Sequence, residues 1–170
     1  MDPDAYLCQL AEIFNGISVN TPSLSAIIAI ILAGLLLLAS GFASASEIAF
    51  FSLSPSDLND IEEGNHPSDG KISNLLADSE RLLATILITN NFVNVTIIML
   101  CNFFFMNVFV FHSPLAEFLI LTVILTFLLL LFGEIMPKIY SAQKTLAFCR
   151  FSAPGIYALE KVFYPIASVL

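Results

Sequence analysis

A carboxylate lies at the end of a long apolar segment in the second half of the chain. No formal charge occurs from Phe118 through Gly133, so Glu134 follows a segment long enough to be most of a membrane span. A charged side chain at that depth is costly and is tolerated mainly where it faces protein or binds something. Pro137 has no backbone N–H and so leaves unmade the helical hydrogen bond to the carbonyl of Gly133. A free carbonyl beside a carboxylate is half of a site for a hard cation.

A second polar cluster lies on the first apolar segment. Ser40, Ser44 and Glu47 are four and three residues apart, so they share one face of a helix. Serines in membrane helices also commonly bond back to their own helix or let helices approach closely, and that alternative stays open for each. Glu47 is either a gating or coupling carboxylate or the partner of a basic residue such as Lys138.

A third cluster consists of amides. Asn90, Asn91 and Asn94 place at least two amides on one helical face, where they serve either as ligands or as hydrogen-bonding contacts between helices. Hydroxyl, amide and carbonyl oxygens with a single carboxylate suit a small hard cation such as Mg²⁺ or Na⁺, whereas softer ions prefer nitrogen and sulfur. The three clusters together predict such a cation site within the membrane.

Composition sets the class of protein. The chain has 170 residues, 58% of them hydrophobic, and a mean hydropathy of +0.89, which indicates an integral membrane domain. The formal net charge of -8 argues against nucleic acid as a partner. An enzyme is the least expected class, because no phosphate-binding glycine loop occurs and His66 and His112 fall in predicted turns.

The apolar segments predict an all-α membrane protein with three transmembrane helices, a Pro-kinked third span and short interfacial or cytosolic helices. Ser23 is a candidate N-cap of the first span. Residues 1–22 form an extracytoplasmic segment with a short helix over 5–14, and residues 23–170 form the transmembrane domain. The predicted spans are 26–45, 82–111 and 115–133, and the predicted short helices are 55–63 and 71–79.

The region after the third span is basic and then apolar again. We expect the stretch from Lys138 to Arg150 to end at Ser152-Ala153-Pro154 and a further helix to start at Gly155. All six basic residues lie after position 70, so the positive-inside rule places the N-terminus outside and the C-terminus in the cytoplasm. The chain stops within an apolar segment, and we expect a cytosolic part beyond it.

Three segments carry a resemblance to a known family. SGFASASEIAFFSLS (Ser40 to Ser54), LLATILITNNFVN (Leu82 to Asn94) and GEIMPK (Gly133 to Lys138) resemble, in order and spacing, the transmembrane domain of the CorC/cyclin-M family of magnesium transport proteins. The resemblance covers residues 23–170. The acidic N-terminus also resembles that of the gliding-motility relative of this family in Bacteroidetes.

The resemblance implies a homodimer in the bacterial inner membrane that exports Mg²⁺, with Na⁺ as the counter-ion in some members. It implies a largely dehydrated Mg²⁺ held by oxygens of Ser40, Ser44, one asparagine of the Asn90–Asn91 pair, Gly133 and Glu134. The leading hypothesis is a transporter in which Glu134 supplies the charge and Ser40, Ser44, Asn91 and the Gly133 carbonyl replace water ligands. Family members usually continue into cytosolic CBS domains and a small C-terminal domain, neither of which occurs in this sequence. Ile48 replaces the threonine that commonly follows the glutamate in the family, which weakens the expectation of a second cation site beside Glu47.

A second hypothesis is a membrane subunit that keeps this fold without transporting ions and assembles with partner proteins of a motility or secretion complex. It predicts a polar pocket that binds no cation.

Overall fold

The computed structural model describes residues 18–110 and 114–167, and it is helical apart from one short pair of strands. The elements in chain order are β1 (Ser18–Val19), α1 (Leu24–Phe51), α2 (Pro55–Glu62), α3 (Asp69–Leu76), α4 (Ser79–Val108), β2 (Phe109–Val110), α5 (Pro114–Leu128), a π-helical segment here called the π turn (Leu129–Ile135), α6 (Met136–Gln143) and α7 (Thr145–Ala167). The helix predicted over 5–14 and the turn predicted around His112 lie outside the described residues.

Within the described residues, three helices are long and apolar enough to cross a membrane, as predicted. They run over Leu24–Phe51, Ser79–Val108 and Glu117–Gln143. With 28, 30 and 27 residues, each exceeds the roughly 20 residues that a hydrocarbon core requires. Ser23 caps the first span by accepting a hydrogen bond from the N–H of Ala26 at 3.2 Å, which confirms the predicted cap.

The ends of the spans differ from the predicted ones. The third span continues beyond the predicted end at Gly133 to Gln143, because the helix runs on through the π turn and α6. At the start of the second span, a cap rather than hydropathy sets the end. The second span begins at Ser79, since Asp78 accepts a hydrogen bond from the N–H of Arg81 and starts the helix there. For the same reason α3 ends at Leu76, short of the predicted residue 79. At the other end, the N–H of Asn20 donates to the carbonyl of Val108 at 2.8 Å and β1 pairs antiparallel with β2.

The region after the third span is one long helix, so the predicted end at Ser152-Ala153-Pro154 is wrong. The chain turns instead at Lys144, whose N–H donates to the carbonyl of Ser141, and α7 then runs through Pro154. Pro154 itself is exposed, but Ala153 and Ile156 on the buried face are fully covered. Tertiary packing therefore holds the helix together across a residue that removes one of its hydrogen bonds.

Two apolar cores flank a polar level on the first span. One core gathers α1, α2, α3, α4 and α7 around Phe50, Ile72, Leu82 and Ile156. The other packs Ala33 against Ile97 and Leu125 of the other two spans. Ser40 lies between these two cores along α1, so the fold places this buried serine at a polar level of the bundle.

Candidate cation site

Oxygens from two spans meet at Ser40. This serine is fully buried, and its Oγ donates at 2.7 Å toward Oδ1 of Asn90 and, also at 2.7 Å, toward Oδ1 of Asn94. A hydroxyl has one proton, so it satisfies one carbonyl oxygen at a time. Unless one amide turns its NH₂ group inward, the cluster holds more acceptor oxygens than protons. A cation placed among these oxygens removes that imbalance.

The third span reaches the same point through Gly133. A Cβ atom added at Gly133 would lie 3.3 Å from Ser40 Oγ and 3.3 Å from Leu37 Cδ1, so the bare backbone lies directly against Ser40. Gly133 belongs to the π turn, at whose end the N–H of Met136 donates to the carbonyl of Leu131. Such turns inside α-helices occur frequently at functional sites. The kink at Pro137 and the release of the Gly133 carbonyl stay predictions.

Ser44 adds a hydroxyl group with no partner. It is fully buried one helical turn after Ser40, and its Oγ makes no hydrogen bond to the described part of the chain. Buried polar groups nearly always have a partner, and each exception calls for an explanation such as a bound ion or water. Ser46, equally buried on the same helix, donates to the carbonyl of Phe42 at 2.7 Å. The two serines therefore differ in what they leave available to a ligand.

The carboxylate of Glu134 is paired with a lysine. Lys138 Nζ lies 3.3 Å from Glu134 Oε1 and 3.1 Å from Glu47 Oε2, so one ammonium group bridges carboxylates on the first and third spans. The side chain of Glu134 is 40% exposed and that of Glu47 is 25% exposed. Of the two roles expected for Glu47, pairing with Lys138 is thus present in the structure, and it does not exclude a role in gating.

The asparagines divide between two faces of α4. Asn90 and Asn94 contact Ser40, whereas Asn91 is exposed on another face. The spacing of four residues between Asn90 and Asn94 carries this signal in the sequence, because residues i and i+4 share a helical face. Of the neighbouring Asn90–Asn91 pair, the structure thus brings Asn90 to the polar cluster.

Gly41 is a residue of the site region that the sequence reasoning missed. A Cβ atom at this position would lie 3.0 Å from Pro137 Cγ and 3.5 Å from the carbonyl oxygen of Phe132. Its small size therefore lets the first and third spans approach each other beside the polar cluster. The signal in the sequence is a run of small residues on α1, which is typical of close helix contacts in membranes.

Acidic metal clusters of the usual kind are absent from the described residues, where no group of three or more His, Cys, Asp or Glu side chains could hold a metal ion. The oxygens that the structure gathers at Ser40 are neutral, whereas the carboxylates of Glu134 and Glu47 are paired with Lys138. Neutral oxygens suit a hard cation such as Mg²⁺, which is usually also bound by one or two carboxylates.

An ion pair outside the spans holds the connecting helices in place. Arg150 Nε donates to Asp69 Oδ1 at 2.8 Å and Arg150 Nη2 donates to Asp69 Oδ2 at 3.1 Å, which ties the start of α3 to α7. The side chain of Asp69 is 1% exposed and also accepts a hydrogen bond from the N–H of His66. The hydrogen bonds from Arg150 outweigh burial and hold the pKa of the Asp69 carboxyl below its usual value.

Three membrane-compatible helices around a buried polar level define a multi-pass membrane protein with a polar site between its spans. The model of the "Cyclin M transmembrane N-terminal domain" matches residues 30–170, so the chain belongs to the cyclin M transmembrane family. This membership confirms the family resemblance drawn from the three segments.

A curated relative is similar over much of the chain. The "UPF0053 protein" of Haemophilus influenzae is 32% identical over 130 residues, which are 76% of this chain and 30% of that protein. The matched region therefore spans less than a third of that relative. Family membership is consistent with a role in the transport of divalent cations across a membrane.

Proposed function

We propose that this domain transports Mg²⁺ across the bacterial inner membrane, acting as a homodimer with its N-terminus outside and its C-terminus in the cytoplasm. One observation carries the proposal: Ser40 collects two amide oxygens and the Gly133 backbone at one buried point, and Ser44 leaves an unpartnered hydroxyl group one turn away. Within an apolar bundle, such oxygens replace the water that a small cation gives up on entry.

Charge sets what else the site requires. Glu134 offsets one of the two charges of Mg²⁺, so Glu47 or the partner protomer must supply the second negative charge, or retained waters must solvate the charge that remains. A buried charge that stays uncompensated is costly, and this cost favours release of the ion once the site opens to water. Alternate exposure of the site to the two sides of the membrane then moves the ion, with Na⁺ as a candidate coupling ion.

The test is a comparison of two glutamates on the third span. Glu134→Gln removes the carboxylate next to Gly133, and Glu117→Gln makes the same change at the other end of that span. We expect Glu134→Gln to abolish Mg²⁺ flux in vesicles and to weaken Mg²⁺ binding in calorimetry at least about tenfold, equivalent to about 1.4 kcal/mol. Glu117→Gln should behave as wild type.

Equal flux and affinity in wild type and Glu134→Gln would contradict the proposal. The hypothesis of a non-transporting subunit predicts that result, together with a partner protein that co-purifies in mild detergent. A dimer that purifies alone and binds Mg²⁺ argues against that hypothesis.

A further inference from the structure

Lys138 pairs with Glu134, the carboxylate that the proposed function assigns to a bound cation. Its ammonium group lies 3.3 Å from Glu134 Oε1, and the two residues are one helical turn apart on the third span. A lysine ammonium is a compact positive charge on a flexible chain, so a modest change of its side-chain torsions moves the charge by several ångströms. A divalent ion that approaches the Glu134 carboxylate therefore competes with the ammonium group of Lys138.

The same ammonium group has a second carboxylate within reach. Glu47 Oε2 is the nearer partner at 3.1 Å, and its side chain is 25% exposed against 40% for Glu134. If the ammonium group of Lys138 moved away from Glu134, it would thus still be paired with Glu47. Glu47 belongs to the first span, which also carries Ser40, and Glu134 belongs to the third. The ammonium group of Lys138 therefore links these two helices.

We infer that Lys138 is a tethered competitor of the transported cation: it neutralises Glu134 while the site holds no divalent ion and pairs with Glu47 alone when one binds. This inference rests on the proposed function and adds a positioning residue to it. Permeation requires binding that is favourable enough for entry and weak enough for release. A charge attached to the protein weakens binding by competing for the carboxylate, and its return to Glu134 assists release.

A charge-matched double variant tests competition separately from overall charge. In wild type, Glu47, Lys138 and Glu134 sum to one negative charge, and in Glu47→Gln/Lys138→Gln the remaining Glu134 carries the same single charge. We expect the double variant to bind Mg²⁺ about fivefold more tightly than wild type in calorimetry, because the competitor is gone while the long-range field is unchanged. It should also release Mg²⁺ more slowly.

Three single variants complete the design. Glu47→Gln leaves Lys138 with Glu134 as its partner and should weaken Mg²⁺ binding, whereas Lys138→Gln should tighten it by more than the double variant does. Lys144→Gln removes an exposed lysine six residues further on and measures how much of any tightening comes from the loss of a distant positive charge.

The outcomes separate this inference from the function on which it rests. If Glu134→Gln weakens binding at least about tenfold while the double variant binds as wild type or more weakly, the competitor role is wrong and the transport site stands. If Glu134→Gln leaves Mg²⁺ binding unchanged, the proposed transport site is wrong, and the competitor role that rests on it is wrong as well. If the double variant does not fold, Lys138→Gln takes its place in the comparison. The inference is then wrong if Lys138→Gln binds Mg²⁺ no more tightly than Lys144→Gln does.

Discussion

Ser44 and Ser46 are both buried and lie two residues apart on the same helix, yet their hydroxyl groups are in opposite situations. Ser46 satisfies its hydroxyl on the carbonyl of Phe42, as serines in membrane helices commonly do. Ser44 is equally buried and has no hydrogen-bond partner among the described residues. At the scale of single residues, this difference distinguishes a serine whose hydroxyl group is bonded to its own helix from one whose hydroxyl group is available to an ion.

The difference predicts that the Ser44 hydroxyl lowers the stability of the ion-free protein but strengthens Mg²⁺ binding. An unsatisfied buried hydroxyl costs about 1–3 kcal/mol, so Ser44→Ala should leave the ion-free protein as stable as wild type or raise its free energy of unfolding by about 1 kcal/mol. The same change removes a ligand and should weaken Mg²⁺ binding about tenfold or more. Thermal unfolding with and without Mg²⁺ measures both effects.

Ser46→Ala is the matched control, because its hydroxyl bonds to its own helix. We expect it to keep Mg²⁺ affinity within about twofold of wild type. Loss of binding in Ser46→Ala but not in Ser44→Ala would show that the available hydroxyl has been assigned to the wrong serine.

At the scale of elements, the sequence predicts the presence of the helices better than the residues at which they begin and end. The three spans follow from long uncharged runs, and the shared face of Ser40 and Ser44 follows from their spacing. The continuity of α7 through Pro154 does not, because it depends on Ala153 and Ile156 packing against helices that are distant in sequence. The choice of Asn90 over Asn91 likewise depends on which face of α4 meets α1.

The approach of the first and third spans predicts a steric effect at Gly41. Gly41→Ala would place a methyl group 3.0 Å from the ring of Pro137, which is rigid and held between neighbouring helical turns. We expect the free energy of unfolding to fall by about 1–3 kcal/mol and Mg²⁺ binding to weaken as the π turn moves away from Ser40. Thermal unfolding and calorimetry of the purified protein give the two values.

Gly34→Ala is the control for helix propensity at a glycine on the same helix, since a Cβ there meets nothing within 4 Å. It should be neutral or stabilising by up to about 1 kcal/mol. Equal effects of the two substitutions would mean that the contact with Pro137 does not limit the spacing of the spans.

The ion pair between Asp69 and Arg150 predicts how stability changes in acid. Because the pKa of Asp69 is lowered in the folded protein, its stabilising effect is complete above the usual value of 3.8 and is lost as the pH falls through the lower folded-state pKa. Asp69→Asn should therefore lower Tm at pH 7, and its difference from wild type should shrink as the pH falls below about 4. A difference that stays constant from pH 7 to pH 2 would contradict this role.

At the scale of the whole molecule, the fold fixes three spans but not which end faces the cytoplasm. The basic residues predict that the connection between the first two spans is cytoplasmic. Asn65 in this connection and Asn20 beside the first span are both exposed. In a background without cysteine, a membrane-impermeant maleimide should label Asn20→Cys in intact cells and label Asn65→Cys only after permeabilisation.

The opposite labelling pattern would contradict the proposed orientation, with the N-terminus outside and the C-terminus in the cytoplasm, and would leave the proposed site unaffected. Cys101 and Cys149 are buried in the structure, so a separate variant that lacks only Cys8 should show no labelling of these two thiols.

The central claim is that oxygens of three spans hold a divalent ion at the level of Ser40, and a crystal structure grown with Mn²⁺ tests it most directly. Mn²⁺ accepts the same oxygen ligands as Mg²⁺ and gives an anomalous signal. The account predicts a peak within about 2.5 Å of Ser44 Oγ and of an oxygen of Ser40, Asn90 or Gly133. A peak elsewhere, or none at this level in protein that still transports Mg²⁺, would contradict it.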